Sequence, residues 1–261
     1  GIGIALAGSI ESRTGVCLYS PNLNWRNVAV GHIIKESTGL ETRLINDANG
    51  ACLGEYFFGA GSNYNNIFCL TMGTGIGSGV ILDNKLFIGN SGLAPEAGHM
   101  VVLKDGPRCS CGRKGCWETL VSASAIIKRV AEKINAGTHT MLNEFTRGKK
   151  DSLNLEDIFK AWQAGDNLAV EVITEVKEYL ALGLANLVNL FNPQCIVLGG
   201  GLIDLNSKFN RGLEDMVKEL VFPTFKDTVL IKKAKLGNKA GLVGGASLFL
   251  KNIETLGASD N

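Results

Sequence analysis

The chain lacks charge bias, long apolar runs and any short repeat. Its 26 Lys and Arg stand against 25 Asp and Glu, a net of +1. No long basic run is present, so electrostatics give no reason to expect nucleic acid or a membrane surface as a partner. The opening GIGIALAG is apolar but short and has no basic leader, and no window reaches the roughly 18 consecutive apolar residues of a membrane span. The expectation is a cytoplasmic chain with a small-molecule ligand. A C-x-x-C pair is missing, which removes the thioredoxin-like redox motif. The seven cysteines are an odd number without an export signal, which argues against a full disulfide framework. Cys17, Cys52, Cys69 and Cys195 each lie inside an apolar run and read as small buried hydrophobes. Two of the three histidines, His32 and His139, have no partners legible in the sequence and read as surface or packing residues.

What is present is ordinary globular material. With 261 residues and 45% apolar content, the chain can bury one large core or two moderate ones. It starts at Gly1 in the middle of a strand pattern, and a segment upstream is expected. Strands are predicted at 2–7, 42–45, 67–72, 79–83, 100–103, 195–198 and 229–233. A tight turn at Asp83-Asn84 follows the 79–83 strand. Helices are predicted at 28–38, 48–58, 118–134, 155–163, 167–191, about 205–220 and 240–250. Residues 11–27 read as loop, and 254–261 as a mobile tail. The interleaving predicts an α/β fold with a mostly parallel sheet and at least one antiparallel hairpin.

Five constellations carry chemistry. GTGIGSG (73–79) lies between two strands, where bare backbone N–H groups and Thr74 suit a phosphate-binding hairpin, though a plain tight turn fits equally. NDAN (46–49) follows a strand, where open α/β sheets place ligands. Asp47 can act there as a general base, while Asn46 or Asp47 is also a good N-cap, the favoured reading on these residues alone. Gly199, Gly200 and Gly201 follow a strand buried on both faces and allow either close approach of a nucleoside or a simple turn. Cys109, Cys111 and Cys116 supply three soft ligands within eight residues, with His99 as a fourth if the chain reverses, which reads as structural zinc against free thiols. Glu96 and Glu118 flank that cluster and suit gripping a polyol, or else a solvated loop and a helix first turn.

Taken together, INDANGACLGE, TMGTGIGSGVILDNKL, APEAGH, CSCGRKGCWE, IVLGGG and GLVGGASL resemble the ROK family of bacterial sugar kinases and sugar-responsive repressors, in its glucokinase-like branch. The resemblance implies an actin-like ATPase (ribonuclease H-like) fold, two lobes with mixed sheets around a central cleft. The small lobe would hold residues 1–45, the large lobe with its zinc motif 46–239, and a C-terminal helix in 240–261 would return to the small lobe. Asp47 then matches the catalytic base, and Asn22, Asn46, Glu96, His99 and Glu118 match sugar-holding residues. Gly73, Thr74 and Gly75 match a phosphate segment, and Gly199, Gly200 and Gly201 the adenosine-side loop. His99, Cys109, Cys111 and Cys116 match zinc ligands, so His99 would serve both zinc and sugar. The activity implied is ATP-dependent phosphorylation of a hexose or N-acetylhexosamine, usually at O6, with Mg²⁺ accompanying ATP, structural zinc and a homodimer. The alternative implied is the sugar-sensing body of a repressor, with nucleic acid as a partner only through a helix-turn-helix domain upstream. The family's first phosphate loop, of Asp-x-Gly-Gly-Thr type, does not occur in this sequence. Pro95 replaces a frequent Gly and Ser9 a frequent Pro, which leaves the preferred sugar open.

Overall fold

The computed structural model describes residues 1–145, 153–206 and 208–250. Strand β1 (Ile2–Leu6) leads into an antiparallel meander of β2 (Ser9–Glu11), β3 (Val16–Ser20) and β4 (Trp25–Val28). Helix α1 (Val30–Thr38) stops at Gly39, which takes a left-handed φ of 71°, as a helix C-terminus prefers. Strand β5 (Thr42–Asn46) then pairs in parallel with β1, Ile2 opposite Thr42. The expected loop at 11–27 is therefore largely strand. In VCLYS the side chains of Cys17 and Ser20 are buried, but strands of three to five residues between Thr-Gly and Pro-Asn turns are too short for a clear period-2 signal.

Helix α2 (Asp47–Phe58) follows β5 directly. Strands β6 (Ile67–Met72) and β7 (Ile76–Leu82) form a hairpin, and the turn at Asp83 and Asn84, with φ of 49° and 64°, leads into β8 (Lys85–Leu86). Strand β7 begins three residues earlier than expected, because the glycines at 77 and 79 belong to the strand. A Cβ on Gly77 would lie 2.8 Å from Ala48 Cβ, and one on Gly79 2.5 Å from Cys52 Cβ. These two glycines let α2 lie close on the sheet, and only residues 73–75 remain as turn.

The predicted strand at 100–103 is a single bridge between Val101 and Cys116. The loop it belongs to is organised by turns around the cysteines. The predicted helix at 118–134 divides into α3 (Glu118–Val121) and α4 (Ala123–Asn135), since Ser122 adopts extended backbone and caps α4 with its hydroxyl, accepting from Ala125 N at 3.2 Å. Short helix α5 (Leu142–Phe145) precedes α6 (Leu155–Gln163). Helix α7 (Asn167–Phe191) ends at Asn192, left-handed with φ 41°. Strand β9 (Cys195–Gly199) is buried at every position, as its unbroken apolar run requires.

The predicted helix at 205–220 is also two, α8 (Gly201–Leu205) and α9 (Leu213–Leu220). Asn206 accepts from Lys208 N at 2.9 Å and Gly212 takes φ 72°, turn chemistry that interrupts a helix. Strand β10 (Ile231–Lys233) completes a five-stranded sheet ordered β10-β9-β6-β7-β8, in which β7 alone runs against the others. The last described helix is α10 (Ala240–Ser247); the predicted tail at 254–261 lies outside the described residues.

Helix α7 forms the centre of the main core, burying Val172, Val176, Leu180 and Leu184 against the sheet and its flanking helices. Helices α2 and α10 cross without side chains between them: a Cβ on Gly244 would overlap the carbonyl of Gly50, and one on Gly54 that of Ala240. Glu55, 2% exposed, fastens the same region. It accepts from Ala60 N at 2.7 Å, Lys235 N at 3.1 Å and Leu236 N at 2.7 Å. Among the described residues, no helix is long and apolar enough to cross a membrane.

Candidate active site

A cavity of about 610 Å³, within the usual size for a small-molecule site, is lined by residues from the N-terminal strands and from the five-stranded sheet. One wall comes from the end of β1 and the β3–β4 turn, including Ser9 and Asn22. The other comes from the glycine turn, the Glu96 loop and the cysteine loop. Asn46 and Asp47 form its floor, where β5 hands over to α2. The backbone needs a cap at that point, and Asn46 provides it. Its Oδ1 accepts from Ala48 N at 3.0 Å and Asn49 N at 3.1 Å, while its amide nitrogen donates to Gly8 O at 3.1 Å. Asp47 is thereby released from capping. One of its oxygens accepts from Ala48 N at 2.9 Å, and among the described residues the other has no hydrogen-bond partner. An exposed carboxylate at the floor of a cleft, fixed at one oxygen and open at the other, is placed to take a proton from a bound hydroxyl.

The segment Ala97–His99 is one turn of 3-10 helix that lifts Glu96 and His99 into the cleft. His99 Nε2 lies 4.0 Å from Glu96 Oε2, and Nδ1 lies 3.6 Å from Cys109 Sγ. The two faces of the ring therefore meet the cleft and the cysteines respectively. Partial desolvation beside the cleft wall pushes the Glu96 pKa up, although its side chain stays largely exposed. His99 opposes that rise, and the carboxylates of Glu118 and Asp47 add to it.

His99, Cys109, Cys111 and Cys116 converge so that their ligand atoms all lie within 4.8 Å of one another. Cys111 Sγ and Cys116 Sγ are 3.5 Å apart. Tetrahedral Zn²⁺ with bonds of about 2.3 Å to sulfur requires S–S edges of about 3.8 Å, so this donor set fits zinc. Gly112 and Gly115, with φ of 90° and 71°, make the turns that bring the sulfurs together. The backbone N–H of Arg113, then its guanidinium, hold the Cys111 thiol down at about 6, whereas burial pushes Cys116 up to about 12. A bound dication deprotonates such thiols outright. The loop is anchored by Trp117, fully buried, whose indole donates to Tyr179 O on α7 at 2.8 Å.

Glu118, next along the chain, ties the site together. Its Oε2 accepts from Ile76 N at 3.0 Å, and its Oε1 lies 3.8 Å from Cys109 Sγ. Gly73, Gly75 and Gly200 line the cleft with it. Thr74, Gly199 and Gly201 do not. Thr74 is exposed with its carbonyl accepting from Ser124, Gly199 is the last residue of β9, and Gly201 begins α8. Of the three glycines at 199–201, Gly200 takes a positive φ, 93°, and approaches the Met72 backbone too closely for a Cβ. The predicted sugar-holding set, Asn22, Asn46, Asp47, Glu96, His99 and Glu118, lines the one cleft. Sequence reasoning missed Ser78 and Asn49, buried polar residues at 3% and 4% exposure behind the Glu96 loop. The only available signal was that each sits inside a motif already noted.

The ROK family model matches residues 1–252. A glucokinase of Streptomyces coelicolor is 35% identical over 250 residues, covering 95% of this chain and 79% of that enzyme. The crystal structure of a ROK family glucokinase from Streptomyces griseus in complex with glucose and AMPPNP matches with a TM-score of 0.80 and 34% identity, over 94% of this chain and 80% of that one. A ROK family transcriptional regulator, a homologue of the E. coli MLC protein, matches with a TM-score of 0.83 and 32% identity, over 93% of this chain and 60% of that one. The chain thus spans about four-fifths of the glucokinases and 60% of the regulator. The fold is the two-lobed, actin-like ATPase fold of these proteins, and the chain belongs to the ROK family, as a glucokinase-like member.

Proposed function

We propose that this chain forms the sugar- and nucleotide-binding cleft of an ATP-dependent hexose kinase. The observation that carries the reading is Asp47, relieved of capping by Asn46 and open at one oxygen, facing a cleft that also holds Glu96, His99 and Glu118. Carboxylates and an imidazole grip sugar hydroxyls by hydrogen bonding. Asp47 accepts the proton of the hydroxyl that attacks the γ-phosphoryl group, and the turn at Gly73 and Gly75 receives the phosphates. Phosphoryl transfer needs positioning and charge neutralisation more than covalent chemistry. Among the described residues lining the cleft there is no Lys or Arg, so side chains do not neutralise the triphosphate, and Mg²⁺ carried with ATP supplies that charge. Zinc on His99, Cys109, Cys111 and Cys116 is architectural, fixing His99 and Glu118 against each other. The small lobe is residues 1–45 with α10 returning to it, and the large lobe 46–239. The protein works as a cytoplasmic homodimer.

The test is a panel of hexoses and N-acetylhexosamines offered with ATP to the full-length protein, read by ADP release. Turnover with one class is expected, and no turnover with any of them overturns the reading. A second reading, a sugar sensor in a repressor, is favoured by the TM-score of 0.83 with the regulator. In that case the full-length protein binds operator DNA, releases it on adding sugar and turns over no ATP. A sensor has no chemical need for an open base at position 47.

A further inference from the structure

Glu96 stands on a short loop that two buried side chains grip from behind. Ser78 Oγ, on β7, donates to Pro95 O at 3.1 Å and accepts from Ala97 N at 3.0 Å. One hydroxyl therefore spans Glu96, binding the peptide units on both sides of it. Asn49, on the first turn of α2, donates its amide to Ala94 O at 3.2 Å. Ser78 is 3% exposed and Asn49 4% exposed, and neither reaches the metal cluster. Asn49 Oδ1 is buried without a hydrogen-bond partner. An unpaired buried acceptor costs folding free energy, which sets against the stability that the bond to Ala94 O supplies. The helix that holds Asn49 begins with Asp47, and the strand that holds Ser78 begins at Ile76, whose N–H is taken by Glu118. The clamp thus references Glu96 to the base on one side and to the phosphate turn on the other.

We propose that Ser78 and Asn49 are positioning residues for the sugar, acting through Glu96. They hold its carboxylate at a fixed place relative to Asp47; Ser78 also borders the cavity, but its hydroxyl is committed to Pro95 and Ala97. The proposal rests on the reading of the cleft as a hexose site. It concerns ground-state grip, so removing the clamp raises KM for the hexose and leaves kcat close to its original value, because binding lost equally from ground and transition states appears in KM alone. Nucleotide affinity stays unchanged, since the turn at 73–75 is held by Glu118, Ala123 and Ser124 instead.

The experiment uses the full-length protein with Ser78→Ala, Asn49→Ala and the near-isosteric Ser78→Cys, each also combined with Glu96→Ala. Glucose and AMPPNP affinities are measured by calorimetry and metal content by mass spectrometry. Ser78→Ala and Asn49→Ala are expected to weaken glucose binding about tenfold each, with AMPPNP affinity and metal content unchanged. In the Glu96→Ala background the same substitutions are expected to have no further effect on glucose, because residues acting through one group are not additive. Ser78→Cys, whose thiol can still bridge Pro95 O and Ala97 N, is expected to lose less than Ser78→Ala. Additive losses in the Glu96→Ala background, or a glucose affinity within twofold of the original for both Ser78→Ala and Asn49→Ala, overturn the proposal. A parent protein that binds none of the panel sugars instead overturns the reading of the cleft itself, and the clamp's role with it.

Discussion

Gly73 and Gly75, two positions apart in the glycine turn of the cleft, respond to alanine in different ways. At Gly73 an added Cβ meets nothing within 4 Å, whereas at Gly75 it overlaps Glu118 Oε2. Neither residue has a positive φ, so backbone strain does not enter. The carboxylate is the far end of a flexible side chain and can swing away, but doing so gives up its hydrogen bond from Ile76 N at 3.0 Å. A hydrogen bond to a charged group contributes about 1.5–3 kcal/mol, and each 1.4 kcal/mol is about tenfold in an equilibrium constant. Gly75→Ala therefore displaces Glu118 from the cavity wall and, if Glu118 holds sugar as proposed, weakens hexose binding by roughly 10- to 100-fold, with the fold intact. Gly73→Ala places its methyl on the open cleft side of the turn, so it leaves hexose binding unchanged and weakens the nucleotide. Calorimetric titration of each variant of the full-length protein with hexose and then with AMPPNP reads both. Hexose affinity within twofold of the original in Gly75→Ala, or equal losses for the two ligands in both variants, refutes the reasoning.

Asp47→Asn keeps the shape of the floor but removes the base. Phosphorylation should fall by about 10²- to 10⁴-fold while hexose affinity in a calorimeter changes little. Metal analysis of the purified protein should find one zinc per chain, and stripping it with a chelator should loosen the loop carrying His99 and Glu118, seen as loss of hexose binding. Glu55→Gln retains an acceptor for two of the three backbone N–H groups and leaves one orphaned. A loss of about 1–3 kcal/mol should lower the melting temperature by roughly 5 °C, and Glu55→Ala, with three orphans, should lower it further. Because partial desolvation raises the Glu96 pKa and the ionised carboxylate is the form that accepts sugar hydroxyls, hexose affinity should fall on acidification, starting above the ordinary Glu range. The same shift means that protonated Glu96 favours the fold, a contribution present at acid pH and lost as pH rises through the folded pKa.

Elements with a long or unbroken pattern were legible in the sequence. Helix α7, with apolar residues recurring through 25 positions, and β9, apolar throughout, lie where the periodicity predicts. Elements set by single residues were not. Ser122 divides one helical pattern into two, and Asn206 with Gly212 divides another, because one side-chain hydrogen bond or one left-handed residue outweighs continued apolar spacing. The strands β3 and β4 do not alternate cleanly: in β3 the buried Cys17 and Ser20 stand three positions apart, and β4 has no buried residue. At the cleft, residue types and motif order grouped Asp47 with Glu96 and His99, and His99 with the cysteines, and the structure brings each group together. The division of labour between Asn46 and Asp47 depends on which oxygen meets which N–H, and the glycines of GTGIGSG separate into turn and packing positions only once α2 lies against β7. Ser78 and Asn49 were invisible for the same reason, since their partners are main-chain atoms of a distant loop.

The side-chain-free crossing of α2 and α10 has a consequence for how the protein is made. Helix α2 begins with Asp47 and is synthesised early, and its β6–β7 seat follows soon after, but its other seat is supplied by residues 240–247, near the end of this sequence. Until those residues leave the ribosome, the carbonyl of Gly50 has no Gly244 to meet, and the helix bearing Asp47 lacks its second seat. Pairing so distant in sequence is slow to form. The cleft should therefore be the last part of the molecule to mature, and a nascent chain halted before residue 240 should carry a folded α7 core but no competent sugar site.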